Sequence, residues 1–551
     1  MYSGNLMDRA CLIIFCVTCF MCFGAGDVGT DFFWQITVGK CFFENGSFPT
    51  ENQMAFTLGE TAWASPDWLF DVLIYPLHKY AGWTGLIAIK ALLLTSACFF
   101  LVLFLREKGL GVFESCIGLL VAIYFLRFRA YLRAEIATLL FLSIYLWRLE
   151  KIRFNRTRGW ELIAISLLWV HLHAGVVLGW LMVGCYAAGE WINRMVSSAD
   201  GKSNPGRFAI LGIGCAATIL THPFLKEWPE FFASHRPLVS NPLISEFMRI
   251  PFQFVDYWLV VLAGALALIV SWWKSGRFDA VPFCLYAGFS IIASSSMRGM
   301  AIFALVCWPW ALVYFKMIFK PRPIHEIFRW ISLFGLIVIS IWSARQKYWF
   351  APDLSIFPIG AEEFVGRNHI SGKGFNEFGD GGYLLWKFFP EKKVFMHSRH
   401  VCIPLLIETD RQRKKVSDWT AFLDSYGIEY AIDIIPQGKF YQPEPELGLA
   451  LMPRSPLVFF YPSAEWALVY WDDRRAVFLR RRPSQSAAIQ KFEYHYYPDD
   501  YVYWSERMRA GLDDARVILA EIQRSRQQGG DSEFHRFLEN YLAQVSHSFI
   551  R

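Results

Sequence analysis

Residues 26–40 read G-D-V-G-T-D-F-F-W-Q-I-T-V-G-K, residues 44–53 continue E-N-G-S-F-P-T-E-N-Q, and residues 63–70 close the stretch with W-A-S-P-D-W-L-F. It follows the first apolar run of the chain, at about residues 11–25. Asp27 and Asp31 therefore stand within a turn or two of a membrane span, ahead of an aromatic run of the kind that lies at the membrane–water boundary. Two carboxylates there are costly unless they face water, a metal or a polar substrate. They are the first site candidates, and everything else is read outward from them.

The chain of 551 residues is 54% hydrophobic and 17% aromatic, with 50 Phe and a positive mean hydropathy. That is too apolar for an ordinary soluble multidomain protein. Repeated apolar runs of about 18 to 22 residues point to a polytopic helical membrane protein. The formal charge of +6 is not a nucleic-acid signature, because the basic residues fall mainly in short loops between the runs and report topology. No nucleic-acid partner is expected. Ten of the twelve Cys lie in apolar runs, where a free thiol behaves as a small hydrophobe. Only Cys41 and Cys402 fall in parts expected to meet water, so a single bridge between them is the one pairing left open, and neither a disulfide framework nor structural zinc is expected.

By the positive-inside rule, Arg9 places the N-terminus in the cytoplasm and residues 26–68 form the first outer loop. Further apolar runs lie at about 83–105, 112–126, 136–149, 161–170, 175–192 and 208–220; one ends at Lys274 and Arg277, one reaches Met297-Arg298, one ends at Lys316, Lys320 and Arg322, and the last covers about 329–342. The cluster Arg148, Lys151, Arg153, Arg156 and Arg158, and later Arg194, Lys202 and Arg207, mark the inner side. From Pro352 the composition becomes that of a soluble domain. Helices are predicted at 360–368, 383–389 and 417–426, strands at 374–377, 393–396 and 430–435, and a hairpin pairs 467–470 with 476–480 across Asp472-Asp473. Residues from about 499 on read as two amphipathic helices separated by Gln527-Gln-Gly-Gly.

The order of the pieces in the opening stretch, Asp31, Phe33, Trp34, Gly39, Gly46, Pro49, Thr57, Gly59, Trp63, Asp67, Trp68 and Leu69, resembles the first extracytoplasmic loop of bacterial polytopic membrane proteins of the GT-C glycosyltransferase superfamily. Further on, Pro358, Gly360, Ala361, Phe364, Gly372, Phe375, Asn376, Gly381, Gly382, Tyr383, Leu384, Trp386, Pro390, Val394 and Phe395 continue the same resemblance, which covers nearly all of residues 20–480. Two departures stand out. The family has an Asp where this chain has Gly29, with Asp27 as a substitute, and it has F-I-D-G-R where this chain has Phe395-Met-His397-Ser-Arg399. The family start also favours an uncleaved anchor over a cleaved signal peptide for the first run, although its Gly-Ala-Gly end suits either.

The fold expectation is therefore an all-α polytopic membrane domain over residues 1–345, GT-C-like with about 11 transmembrane helices, then a small extracytoplasmic α/β domain over 346–490, and a C-terminal helical hairpin within 491–551. The resemblance implies an integral protein of the bacterial inner membrane, with its C-terminal domain outside. Its implied activity is transfer of a sugar from a polyprenyl-phosphate donor to an extracytoplasmic glycan, lipid or protein. The alternative is a GT-C scaffold without catalysis, acting in cell-envelope assembly or polysaccharide or lipid transport; Gly29 and His397 are its support.

Attack on the anomeric carbon needs a carboxylate to take the acceptor's proton or hold a metal, and cations to stabilise the departing phosphate. Asp31 is the candidate for the first role with Asp27 assisting, and Glu246, in a Ser245-Glu246-Phe segment like the family's, is a third carboxylate. The plain alternative for Asp31 is a helix cap. A divalent metal, Mg or Mn, is the cofactor expectation, with Asp31 and Asp27 as its ligands. For donor phosphate the arginines at the outer ends of the runs, Arg133, Arg298 and Arg129, are suited by their guanidinium geometry, with Arg127 behind them; lipid headgroup contact is the alternative for all. The segment Arg133-Ala-Glu135-Ile lies where the family has R-P-x-L. In Trp169-Val-His171-Leu-His173-Ala-Gly175 the family's His is His173, read either as a hydrogen-bonding group at the substrate or as plain helix packing.

Overall fold

The computed structural model describes residues 6–60, 63–154, 157–196, 205–238, 243–276, 278–319 and 326–547. Arg156, Lys202, Arg277, Lys320 and Arg322, read above as inner-side charges, lie outside the described residues. The chain divides into a helical unit, residues 1–35 with 64–353, and a sheet unit, residues 36–63 with 354–551; the division falls inside the helix Asp31–Asn45.

In the helical unit each of the eleven apolar runs is helical. By length and composition four of the described helices can cross a membrane, Leu6–Phe23, Trp68–Glu107, Val255–Ser275 and Glu326–Ala344, or six if two bent pairs each count as one span. The protein is multi-pass. Trp68–Glu107 is two helices joined at a kink, because Gly82 takes a left-handed φ of 61° and Pro76 removes a backbone donor in the leg before it; the apolar run from residue 83 is the second leg. The run 112–126 is two short helices, Val112–Gly118 and Leu120–Leu126. Leu6–Phe23 pairs with Glu326–Ala344 through hydroxyls: Thr18 donates to the Leu336 carbonyl at 3.3 Å, and Ser340 donates to Thr18 at 3.0 Å. The other face of that last helix exposes Trp330, Phe334 and Trp342, as a lipid-facing surface requires.

What positions the candidate site is the chain just after the first helix. Residues 24–28 run extended between two segments. Phe350 donates to the Gly24 carbonyl and Asp353 to the Gly26 carbonyl, each at 2.8 Å, while Leu132 donates to the Asp27 carbonyl at 3.0 Å. Gly26 permits this, since a Cβ there would come within 1.6 Å of the Ala351 carbonyl oxygen. Lys90, fully buried in the long helix, reaches the carbonyls of Ala25 at 2.5 Å and Ala130 at 2.9 Å, and so ties both segments to one amine.

In the sheet unit four strands lie in the order β1 (Lys373–Asn376), β2 (Ile428–Ile434), β6 (Arg475–Arg480), β5 (Trp466–Trp471); β1 and β2 are parallel and the other pairs antiparallel. A separate ribbon pairs β3 (Phe440–Glu444) with β4 (Leu449–Arg454). Ile359–Arg367, Gly381–Phe388 and Val416–Tyr426 are the expected helices. The expected strand at 393–396 is not one: Val394 instead makes an isolated parallel bridge to Ala55. That bridge belongs to a wider docking of residues 51–57, in which Thr57 donates to the Phe395 carbonyl at 2.5 Å and the buried pair Glu51–Arg399 neutralises itself. Beside it His397 is held neutral, its basicity lowered to about 3 by burial and then by Arg399. Cys41 and Cys402 are both free and buried. The C-terminal part has three helices, Tyr501–Arg509 ahead of the hairpin Ala515–Gly529 and Glu533–His547. The hairpin closes over β5 by stacking His535 on Trp471, 4.8 Å between ring centres.

Candidate active site

The site candidates of the helical unit come from four connections. Asp31 opens the helix Asp31–Asn45. Arg129 and Arg133 stand on the connection between the helices Leu120–Leu126 and Glu135–Arg153. Glu246 is the centre of a single 3-10 turn, Ser245–Phe247, and Arg298 immediately precedes the helix Gly299–Val306. Two backbone bonds hold the last two connections together, Met297 donating to Met248 at 2.9 Å and Arg298 to Glu246 at 3.3 Å.

Three guanidinium groups converge on the Glu246 carboxylate. Arg129 Nη1 donates to Oε2 at 2.6 Å, Arg133 Nη1 to the same oxygen at 3.0 Å, and Arg298 Nη2 to Oε1. Arg133 also pairs with Asp31, Nη2 to Oδ2 at 3.3 Å. Arg129 turns its other edge to Glu135, donating from Nε at 3.2 Å and from Nη2 in a two-pronged pair. The cluster has a floor and a rim. Side-chain exposure is 5% for Arg129 and 9% for Glu135, against 23% for Glu246, 26% for Asp31 and 32% for Arg298. Burial alone would raise the Glu246 carboxyl, but Arg298, Arg133 and Arg129 outweigh it and hold it well below the usual range. Burial opposes the charge on Arg129 and Arg133, yet the carboxylates, Glu135 and Glu246 for the first and Glu246 and Asp31 for the second, strengthen it.

The other candidates lie elsewhere. Asp27 contributes its backbone to the extended segment and forms no ion pair in this cluster. His173 sits at the break between Trp160–Leu172 and Val176–Val196, where its Nδ1 meets the Thr138 hydroxyl at 2.7 Å and the Gly175 amide at 3.0 Å; it is not in contact with the arginines. Arg127 lies over the rings of Tyr124 and Phe128. His171 stacks on His222, 5.5 Å between centres, and the Trp68 indole donates to it at 3.1 Å.

Against known proteins, no protein-family model matches the chain, and no curated protein matches it. Solved structures do. The archaeal oligosaccharyltransferase AglB from Archaeoglobus fulgidus, in complex with an inhibitory peptide and a dolichol-phosphate, aligns over 95% of this chain and 86% of its own with a TM-score of 0.57 at 10% identity. The apo form of the Archaeoglobus fulgidus oligosaccharyltransferase aligns over 94% and 86% with a TM-score of 0.49, also at 10% identity. The chain has a GT-C-like fold.

Three residues in or near this cluster were not named as candidates from sequence. Glu135 is the floor partner of Arg129, and Lys90 anchors the Asp27 segment; a lone Lys inside an apolar run was the available signal for the second. Asp67 is the third. It accepts from the Ala174 amide at 3.1 Å, and burial pushes its carboxyl up, against the charge of His173 and that amide. Among the described residues no group of three His, Cys, Asp or Glu is arranged to hold a metal ion, and Asp31 and Glu246 face guanidinium groups whose charge opposes a second cation. No step below is routed through a metal.

Proposed function

We propose that this protein is a membrane glycosyltransferase that moves a sugar from a polyprenyl-phosphate donor to an extracytoplasmic glycan, lipid or protein. The eleven-span topology belongs to the proposal: an inner-membrane protein of bacteria with its N-terminus in the cytoplasm and the arginine cluster and sheet unit outside. The observation that carries the reading is the convergence of Arg129, Arg133 and Arg298 at one point with Asp31 on its rim. Guanidinium groups fixed by buried carboxylates are a preorganised cradle for phosphate oxygens.

In the reaction the acceptor oxygen forms a bond to the anomeric carbon as the bond from that carbon to the phosphate oxygen breaks. The electron pair leaves on the lipid phosphate, where the arginines stabilise it, and the acceptor's proton passes to the Asp31 carboxylate. Glu135 keeps Arg129 aimed, and Lys90 keeps the segments carrying Asp31 and Arg133 in register. The test is transfer of a labelled sugar from polyprenyl-phosphate donors by the protein in membranes. Transfer above vesicles lacking the protein supports the reading; no transfer from any donor, in protein shown to be folded, favours the non-catalytic scaffold. Cysteine labelling of intact cells tests sidedness separately, since a residue beside Lys439 should be reached and one beside Lys151 should not.

A further inference from the structure

We infer that the Glu246 carboxylate occupies the seat of the donor's phosphate, as an internal stand-in that must swing away when the donor binds. This rests on the glycosyltransferase reading and says what its donor site holds in the absence of donor. One carboxylate has two oxygens, and here it engages three guanidinium groups, more donors than it can saturate. Among the described residues, the Nε atoms of Arg133 and Arg298 are buried and have no hydrogen-bond partner. A phosphodiester offers the same converging donors two charged oxygens, as a carboxylate does, set tetrahedrally and flanked by ester oxygens that accept more weakly.

Charge counting narrows the ligand. Arg129, Arg133 and Arg298 are balanced by Glu135, Asp31 and Glu246. With Glu246 withdrawn, the cluster is left one positive charge in excess. A phosphodiester, the group that links a sugar to a lipid through a single phosphate, carries one negative charge and replaces Glu246 one for one. A lipid diphosphate overfills the cluster. Exchange needs no movement of the main chain, because the bonds from Met297 and Arg298 hold residues 246–248 in place while the partly exposed side chain rotates. Glu135, buried beneath and bonded to Arg129 on two edges, stays and keeps the cradle shaped.

A stand-in competes with what it imitates. If the seat is occupied internally, apparent affinity for the ligand is reduced by the fraction of molecules in which the seat is open, so removing the competitor tightens binding. The experiment is titration of the full-length protein in an uncharged detergent with polyprenyl methyl phosphate, a phosphodiester bearing no sugar, and in parallel with phosphatidylglycerol. Glu246→Gln should bind polyprenyl methyl phosphate about tenfold more tightly than the unmutated protein, and phosphatidylglycerol, a phosphodiester of the same charge, reads whether the seat also selects the polyprenyl chain and should gain less. Equal or weaker binding of the polyprenyl ligand overturns the inference and leaves sugar transfer by the unmutated protein standing. An equal gain for phosphatidylglycerol also overturns it, by making the cradle a general headgroup site. Failure of the polyprenyl ligand to bind either protein removes both the inference and the donor site it rests on. Should Glu246→Gln lose its fold, Glu246→Asp, which keeps the charge and retracts it by one methylene, carries the same test with a smaller gain in the same direction.

Discussion

Two arginine–carboxylate clusters can be set side by side. In the helical unit Arg129, Arg133 and Arg298 surround Glu246, and the acids are bound almost wholly by guanidinium, with a rim open to solvent. In the sheet unit Arg413 bridges Glu377 at 2.5 Å and Asp433 at 2.7 Å, the Tyr461 hydroxyl donates to Asp433 at 2.8 Å, the Ile434 amide donates to its other oxygen at 2.7 Å, and the rings of Trp419, Phe375 and Phe460 surround the guanidinium. Nearby, Arg475 grips Asp380 in a two-pronged pair, 2.6 and 2.7 Å, at the start of the helix Gly381–Phe388. There, neutral donors and aromatic rings surround the charges, and the cluster fastens strands β1 and β2 to their helices. Among the described residues both clusters keep a buried guanidinium Nε without a hydrogen-bond partner, Arg133 and Arg298 in the first and Arg413 in the second. The difference is in the acids: Glu246 and Asp31 are 23% and 26% exposed, against 16% for Glu377 and 2% for Asp433.

The largest effect that separates the two is expected at Arg413. Replacing it by Ala strands buried carboxylates and should cost about 3–5 kcal/mol of stability, read as accelerated hydrogen exchange in β2 and β6 of the full-length protein, with sugar transfer per folded molecule preserved. A loss of transfer without loss of protection would make the second cluster a site as well. Next is Asp31→Asn. Asn caps a helix about as well as Asp, so insertion and folding should survive, while transfer falls on the order of a hundredfold, the scale of lost acid–base help. Normal turnover in that variant removes Asp31 from the chemistry.

A third effect is a pH dependence confined to the second cluster. Burial, with Asp433 beside it, pushes Glu377 up to about 7 in spite of Arg413, and Asp380 and Tyr461 are the other titrating neighbours. A carboxyl raised on folding makes the folded unit hold an extra proton, so its contribution is full below about 4.5 and is lost as pH rises toward 7. Stability of the sheet unit should therefore fall across that window, by on the order of 2 kcal/mol, and Glu377→Gln should flatten the slope; a slope unchanged by that substitution would detach it from this cluster. Smaller still, Arg133→Ala or Arg298→Ala should each weaken lipid-phosphate binding by at least about 1 kcal/mol, and unchanged affinity in both would empty the cradle of its role. Asp27→Asn should lose less than Asp31→Asn, because only its backbone holds the segment in place.

Much of this was legible in the sequence for a physical reason: a membrane unit advertises itself by long apolar runs, and charged residues at their ends are expensive enough to be few. Asp31, Arg129, Arg133 and Arg298 were named on that ground and Glu246 from the likeness of Ser245-Glu246-Phe to a family segment, and the five meet in the structure. What the residues could not convey was pairing. Nothing local says that Glu135 turns back to Arg129, or that residues 36–63 group with the sheet unit through Glu51–Arg399 and the Ala55–Val394 bridge. Ribbon β3–β4, carrying Pro443 and Pro453, has the composition of a loop, and residues 393–396 have that of a strand but spend their backbone on residues 54–56. His173 matched a motif, and its Nδ1 is engaged at a break between two helices, a pairing no local signal announces.

Lys90 carries a consequence for how the protein is made. A lysine within an apolar segment raises the free energy of inserting that segment by up to about 3 kcal/mol, and here the amine finds acceptors only in the carbonyls of Ala25 and Ala130, which belong to other parts of the chain. The helix Trp68–Glu107 is thus poorly settled in lipid until the segments carrying Ala25 and Ala130 arrive beside it. Biogenesis and assembly of the loops that carry the arginine cluster become a single event, and a chain whose loops fail to close retains an unsatisfied amine in the bilayer, a mark by which membrane proteases can tell it from the finished protein.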